Sequence, residues 1–359
     1  MSGCIQPALS AVRKAGRVKL NRLYDNTLVL AMGILMIKTT MQNQAANITV
    51  GGRINKLVGV KKEENLHTTD IFYLENYAPP GLDILGCGAG MQSTALALMS
   101  CENAMRGIVH KEVPIYDAIL FCDLGSEPIW VYSQVRFIQD ACREAKIPFY
   151  VIQTNLYQDF MANFGQKRVV SIPFWTIGQD GKRGRMPRNC TMDYKIFPMQ
   201  KFARWNLLGY KKGQRTRPED LLGRHKMHIG FSYEERRRCS ESRNPMFRNS
   251  FPLVDMKLTR SDNYAYCRNV WDLETRASAC SFCPYHTNYF FMRLKQEDPD
   301  TYKELIEVDG LLQREQKKTK IQSELYISKS RKRIIHLDEC DCDDAEMFSC
   351  QNLLVCNGF

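Results

Sequence analysis

Between residues 82 and 153 the chain repeats one pattern. A short apolar run is followed by a brief polar link and then by a longer segment of helix formers with apolar residues at helical spacing. Leu82-Asp-Ile-Leu-Gly-Cys87, Asp117-Ala-Ile-Leu-Phe-Cys122 and Pro148-Phe-Tyr-Val-Ile-Gln153 read as strands buried on both faces. Met91 to Cys101 and Pro128 to Lys146 read as the helices between them, the second with proline near its first turn. Strand, helix, strand, helix, strand with short links predicts a doubly wound parallel α/β sheet, Rossmann-like in its layering. Met227-His-Ile-Gly-Phe231 is a further strand candidate, and residues 285 to about 316 read as mostly helical. The expected organisation is an N-terminal extension of unassigned role over 1–79, a nucleotide-binding domain over 80–260 and a helical, cysteine-bearing region over 261–359.

In such sheets ligands sit past the C-terminal strand ends. This places Gly86-Cys-Gly-Ala-Gly-Met-Gln-Ser-Thr94 and Asp123 to Glu127 on one functional edge. Glycines in the first link permit a tight turn and close backbone approach. The amides that open the next helix then face an anion, and Ser93 and Thr94 add hydroxyls. A Walker loop would need Gly-Lys before the hydroxyl residue, and a dinucleotide fingerprint would need glycine where Ser93 stands.

Six segments, in order, then carry a resemblance. They are the loop just described, Phe121-Cys-Asp-Leu-Gly-Ser-Glu127, Pro187-Arg-Asn-Cys-Thr-Met-Asp-Tyr-Lys-Ile-Phe-Pro198, His228 to Arg238, Phe251 to Arg260, and Ser278-Ala-Cys-Ser-Phe-Cys-Pro-Tyr-His286. Over roughly residues 81–310 the chain resembles the PP-loop, or adenine nucleotide α-hydrolase, superfamily, in its branch similar to phosphoadenylyl-sulfate (PAPS) reductases. The resemblance implies an adenine nucleotide (PAPS, APS or ATP) held by Gly88, Ala89, Gly90, Gln92, Ser93, Thr94, Asp123 and Gly125, with Arg236 and Arg237 on its anionic groups. Arg188 and Lys195 would act at the transferred group, since arginine binds such oxygens in bidentate fashion. Arg183 and Arg185 read as a flap. One departure bears on mechanism: ATP pyrophosphatases usually carry an acid just before the loop serine, and here Gln92 stands there. A neutral amide is a poor ligand for a hard cation, which favours reductase-like chemistry.

The chain holds 14 cysteines. Cys87, Cys101, Cys122 and Cys142 lie in apolar surroundings, while Cys280-x-x-Cys283 has the spacing of two metal ligands on a turn. Cys190 could approach that pair, with Cys267 or a tail cysteine as fourth ligand. Thiolates alone suit structural zinc or an iron–sulfur cluster, and the resemblance implies the latter. It also implies that Cys350 attacks the sulfo group as a thiolate, with a thioredoxin-like protein as reductant. The tail lacks the Glu-Cys-Gly-x-His ending of assimilatory enzymes, so Cys350 and Cys356 read equally as ligands or idle thiols.

A net charge of +11 predicts an anionic partner: a nucleotide, a sulfated or phosphorylated molecule, or a nucleic acid. The leading expectation is therefore a reductase-type oxidoreductase. The alternatives are an ATP-using PP-loop sulfurtransferase that modifies a nucleic acid, and a zinc-stabilised nucleic-acid binding module without catalysis. Leu28 to Ile37 is apolar but too short to span a bilayer, and no clear small-residue cleavage site follows it, so a cytoplasmic, membrane-free protein is expected.

Overall fold

The computed structural model describes residues 81–169, 171–221 and 223–338. The Leu28–Ile37 segment, Cys340, Cys342, Cys350 and Cys356 lie outside these residues. Strand β1 (Asp83–Cys87) leads through the glycine loop into helix α1 (Met91–Arg106). Strand β2 (Ala118–Asp123), helix α2 (Ile129–Ala145) and strand β3 (Phe149–Gln153) follow as the periodicity predicts. After helix α3 (Leu156–Asn163) the short strands β4 (Trp175–Ile177) and β5 (Arg183–Arg185) form a hairpin. A continuous helical stretch comes next: π-helical Met192–Ile196, α4 (Phe197–Phe202) and π-helical Ala203–Leu207.

Strands β6 (His225–Ile229) and β7 (Phe247–Ser250) complete a five-stranded sheet of order β3-β2-β1-β6-β7. Every pairing in it is parallel, so the fold is the expected doubly wound α/β class. The order reverses at β1, whose two neighbours are β2 and β6. That is the switch point where such sheets open a crevice. A second sheet, β5-β4-β8, is antiparallel; its third strand, β8 (Glu324–Tyr326), arrives from far along the chain.

Sequence periodicity misses β7 and this small sheet. The strands of the small sheet are three residues long, too short for alternation to register. The helical region contains α5 (Pro252–Asp255), α6 (Arg260–Trp271), α7 (Asn288–Glu297) and α8 (Pro299–Glu315).

Three apolar clusters hold these layers. One packs β1 and β2 against α1, α2 and Cys267 of α6. A second joins Phe160, Phe164 and Phe174 to Phe282, Phe291, Leu305 and Leu312. The third lies on the other side of the sheet, with Ile84, Leu120, Met199 and Phe247. Helix α6 shares the first cluster, and α7 the second, with residues before 180. Among the described residues no helix is long and apolar enough to cross a membrane.

Candidate nucleotide and thiol site

The loop after β1 is held open by its own side chains. Ser93 Oγ accepts from the Gly88 amide at 3.2 Å and donates to the Gly90 carbonyl at 3.2 Å. Ala89 adopts φ +55°, a left-handed conformation that costs a non-glycine residue energy and so implies an outside clamp. Gln134 supplies it: its Nε2 donates to the Ala89 carbonyl, while its Oε1 accepts from the Arg276 amide. Gly90 precedes α1 with no side-chain cap, and no acidic residue occupies the first turn. The first amides of a 16-residue helix are thus left for an external anion.

Gly230, just after β6, lets the loop seat against that strand. A Cβ there would stand 2.7 Å from the Ser93 backbone nitrogen and 3.0 Å from the Gln92 carbonyl carbon.

Above the loop lies a cavity of about 320 Å³, walled by Gly88, Gly90, Gln92 and Ser93 and by Trp130, Tyr289 and Phe290. Six cations face it: Arg188, Lys195, Arg238, Arg260, Arg276 and Arg293. Arg238 and Arg260 are paired with Glu235, the latter at 3.3 Å, and Arg276 and Arg293 with Glu297. Glu235 also accepts from Gln92 Nε2 at 3.0 Å, so a carboxylate does stand at the loop, supplied by the turn Tyr233–Arg238. It orients two arginines.

The expected residues separate on this geometry. Gly88, Gly90, Gln92, Ser93, Arg188 and Lys195 come together on the cavity. Ala89 and Thr94 are fully buried beneath it, and the Thr94 hydroxyl has no partner among the described residues. Asp123 and Gly125 shape the turn after β2: Asp123 accepts from the Gly125 amide at 2.9 Å and from the Tyr132 hydroxyl at 3.1 Å, and neither lines the cavity. Arg236 lies over the Tyr233 ring at 4.6 Å, and both it and Arg237 are exposed away from the cavity.

Their neighbour Arg238 enters instead, because the capping box of Ser232 and Glu235 sets the phase of that short helix. Arg183 and Arg185 lie exposed on β5, and Arg185 and Arg188 flank the Tyr285 ring at 4.8 and 5.1 Å. Arg260, Arg276 and Arg293 escaped sequence reasoning. Their one signal was arginine at the end of, shortly before or shortly after a recognised segment.

Cys190, Cys280 and Cys283 pack on one edge of the second apolar cluster. The Cys280 turn is fixed to the end of β2: Ser281 donates its amide to the Ser126 carbonyl at 2.8 Å, and the two hydroxyls meet at 2.6 Å. The Cys280 thiol donates to Cys283. That bond outweighs burial and, with the Tyr285 amide and the charges of Arg188 and Lys195, holds the Cys283 thiol below its usual range. Cys280 is correspondingly pushed up by the same bond and by burial. Cys190 is raised by burial and by Cys283, against the pull of Arg188 and Lys195.

Glu127, buried beside them, is pushed up to about 7 by burial, against the Lys195 charge and with Asp123 and Cys283 adding to the rise. His286 is spoken for: it stacks on Phe290 with centroids 3.4 Å apart, its Nε2 meets the Cys280 carbonyl at 3.1 Å, and burial lowers it to about 4. Cys267 sits in the first cluster, apart from the three. Among the described residues no group of three or more His, Cys, Asp or Glu side chains is drawn together as ligands of a single metal ion.

No protein-family profile matches the sequence, and no curated protein is similar enough to count as a match. Among solved structures, the U34-tRNA thiolase NcsA from Methanococcus maripaludis, described with its 4Fe–4S cluster, is similar at 13% identity with a TM-score of 0.32. The match covers 70% of this chain and 78% of that one.

Proposed function

We propose that the chain is an adenine-nucleotide-dependent sulfurtransferase of the PP-loop type. It takes ATP with its phosphates over Gly88–Thr94 and handles sulfur at Cys190, Cys280 and Cys283. One observation carries this reading: Arg188 and Lys195 line the nucleotide cavity and also act electrostatically on the cysteines. Anion binding and thiol chemistry therefore share their cations. In the reaction this implies, an acceptor oxygen attacks the α-phosphorus and pyrophosphate leaves. A hydrosulfide ion, the co-substrate this reading requires, then attacks the activated carbon; AMP departs with the oxygen and the sulfur-bound proton is lost, leaving the thiocarbonyl. Arg188, Lys195 and the Glu235-held arginines would offset the charge that develops on the phosphates.

The donor set fits an iron–sulfur cluster better than zinc. It is sulfur-only, since His286 is committed to a backbone carbonyl. A cluster there would supply sulfide-binding iron and electron-transfer capacity.

PAPS reduction stays as the second reading on the strength of Gln92, the missing loop acid. The deciding experiment purifies the chain without oxygen, measures iron and acid-labile sulfide, and titrates ATP and PAPS by calorimetry. Iron with sulfide, lost in Cys280→Ser while ATP still binds, is the expected result. PAPS binding with no affinity for ATP would return the assignment to the reductase.

A further inference from the structure

Beside the nucleotide cavity runs a groove of about 1420 Å³. Small-molecule sites usually hold roughly 300–1,000 Å³, so the groove is sized for a polymer. Its floor is apolar, with Phe160, Phe174 and Leu325 of the second cluster. Five cations line it, from three separate parts of the chain: Lys167 and Arg168 after α3, Lys201 on α4, and Lys318 and Lys320 before β8. Among the described residues only Lys318 is in an ion pair, to Glu315 at 2.6 Å. Two carboxylates, Asp159 and Asp193, face the groove, and Asp159 accepts from the Tyr194 hydroxyl at 2.9 Å.

Aromatic faces are interleaved with the cations. Phe197 and Trp205 line the groove with 54% and 36% of their surface exposed, although burial would favour both. Lys201 lies over the Trp205 ring at 4.5 Å. Cations that track a backbone, alternating with rings that stack bases, are what an unpaired strand requires. An acidic polypeptide would use the charges and leave the rings in water.

The groove and the cavity share a wall. Along one continuous segment Arg188 and Lys195 face the cavity, while Asn189, Asp193, Tyr194 and Phe197 face the groove. Cys190 lies within that segment. We infer that the groove binds a single-stranded nucleic acid and presents one of its nucleotides at the shared wall as the acceptor. The acceptor role rests on the sulfurtransferase reading; strand binding does not.

The test uses the full chain and fluorescence anisotropy with labelled single strands of about 12 nucleotides, RNA and DNA, against a hairpin duplex and polyglutamate. Single strands are expected to bind with a log–log salt slope between about −2 and −4, as a few phosphate contacts require. Duplex and polyglutamate should bind at least about tenfold more weakly. Trp205→Ala with Phe197→Ala should weaken single-strand binding by about tenfold or more.

Lys201→Glu with Lys320→Glu changes only exposed side chains and should do the same while leaving ATP affinity, read by calorimetry, unaltered. Absence of single-strand binding, equal binding of polyglutamate, or indifference to both double variants would overturn the inference. Strand binding by a chain that does not bind ATP would sink the sulfurtransferase reading and leave the groove assigned.

Discussion

Gly230 shows how little room the glycine loop after β1 has. A methyl group there would meet three backbone atoms of Gln92 and Ser93 within 3.0 Å, and backbone cannot step aside as a flexible side-chain end can. Gly230→Ala should therefore cost about 1–3 kcal/mol in urea unfolding. It should also lower ATP affinity, because the strain is relieved by moving the loop.

Neighbouring arginines separate the sequence expectation from the structure. Arg238→Ala should weaken ATP binding about tenfold, the scale of one charge-assisted contact. Arg237→Ala, on the exposed side of the same turn, should change affinity by less than about twofold. Equal effects in calorimetry would mean that the turn is wound differently. Both residues are arginine in one run, so nothing in the sequence distinguishes them. The phase is set by Glu235, which bonds Ser232 and anchors the turn.

At the scale of elements, the approach to β6 depends on one buried carboxylate. Asp220 accepts from the Tyr210 hydroxyl at 2.5 Å and from Arg217 Nε at 2.7 Å, and its other oxygen meets His225 Nε2 at 2.9 Å. Burial works against its charge, but these bonds outweigh it and keep the carboxyl below the usual value of 3.8. A folded value lower than the unfolded one means the contribution is complete at neutral pH. It fades as pH falls through the carboxylate range.

Asp220→Asn should cost about 2–4 kcal/mol near pH 7, and the gap from the parent chain should narrow below about pH 4. Chemical denaturation at several pH values reads both. None of these partners could be paired from sequence, since each is an ordinary surface residue type. The paired glycine loop and helix α1, by contrast, were legible because their signal is local: apolar run, glycines, then helix formers. The strands of the small sheet were not, since three residues carry no period and β8 reaches β4 across about 150 positions.

For the whole molecule, a basic balance of +11 acquires addresses: one set of cations at the cavity above the glycine loop and another along the groove. A nucleotide bound only by the folded chain at a hundred times its dissociation constant adds about 2.7 kcal/mol, enough to raise Tm by several degrees. ATP should produce that shift and adenosine should not, because the loop and its arginines act on phosphate. A comparable shift with adenosine would move recognition to Trp130, Tyr289 and Phe290.

By itself the sequence determined the parallel sheet, the loop and the Cys280–Cys283 turn, all features whose cause lies within a few residues of each other along the chain. Only tertiary structure decided which cations converge on the loop, that Cys190 packs on the same apolar cluster as Cys280 and Cys283, and that a groove shares the cavity wall. Those outcomes bring together residues about 200 positions apart, such as Gly88 and Arg293, and the packing of Phe160 and Phe174 against Phe282 and Phe291, which no local pattern encodes, helps draw them into place.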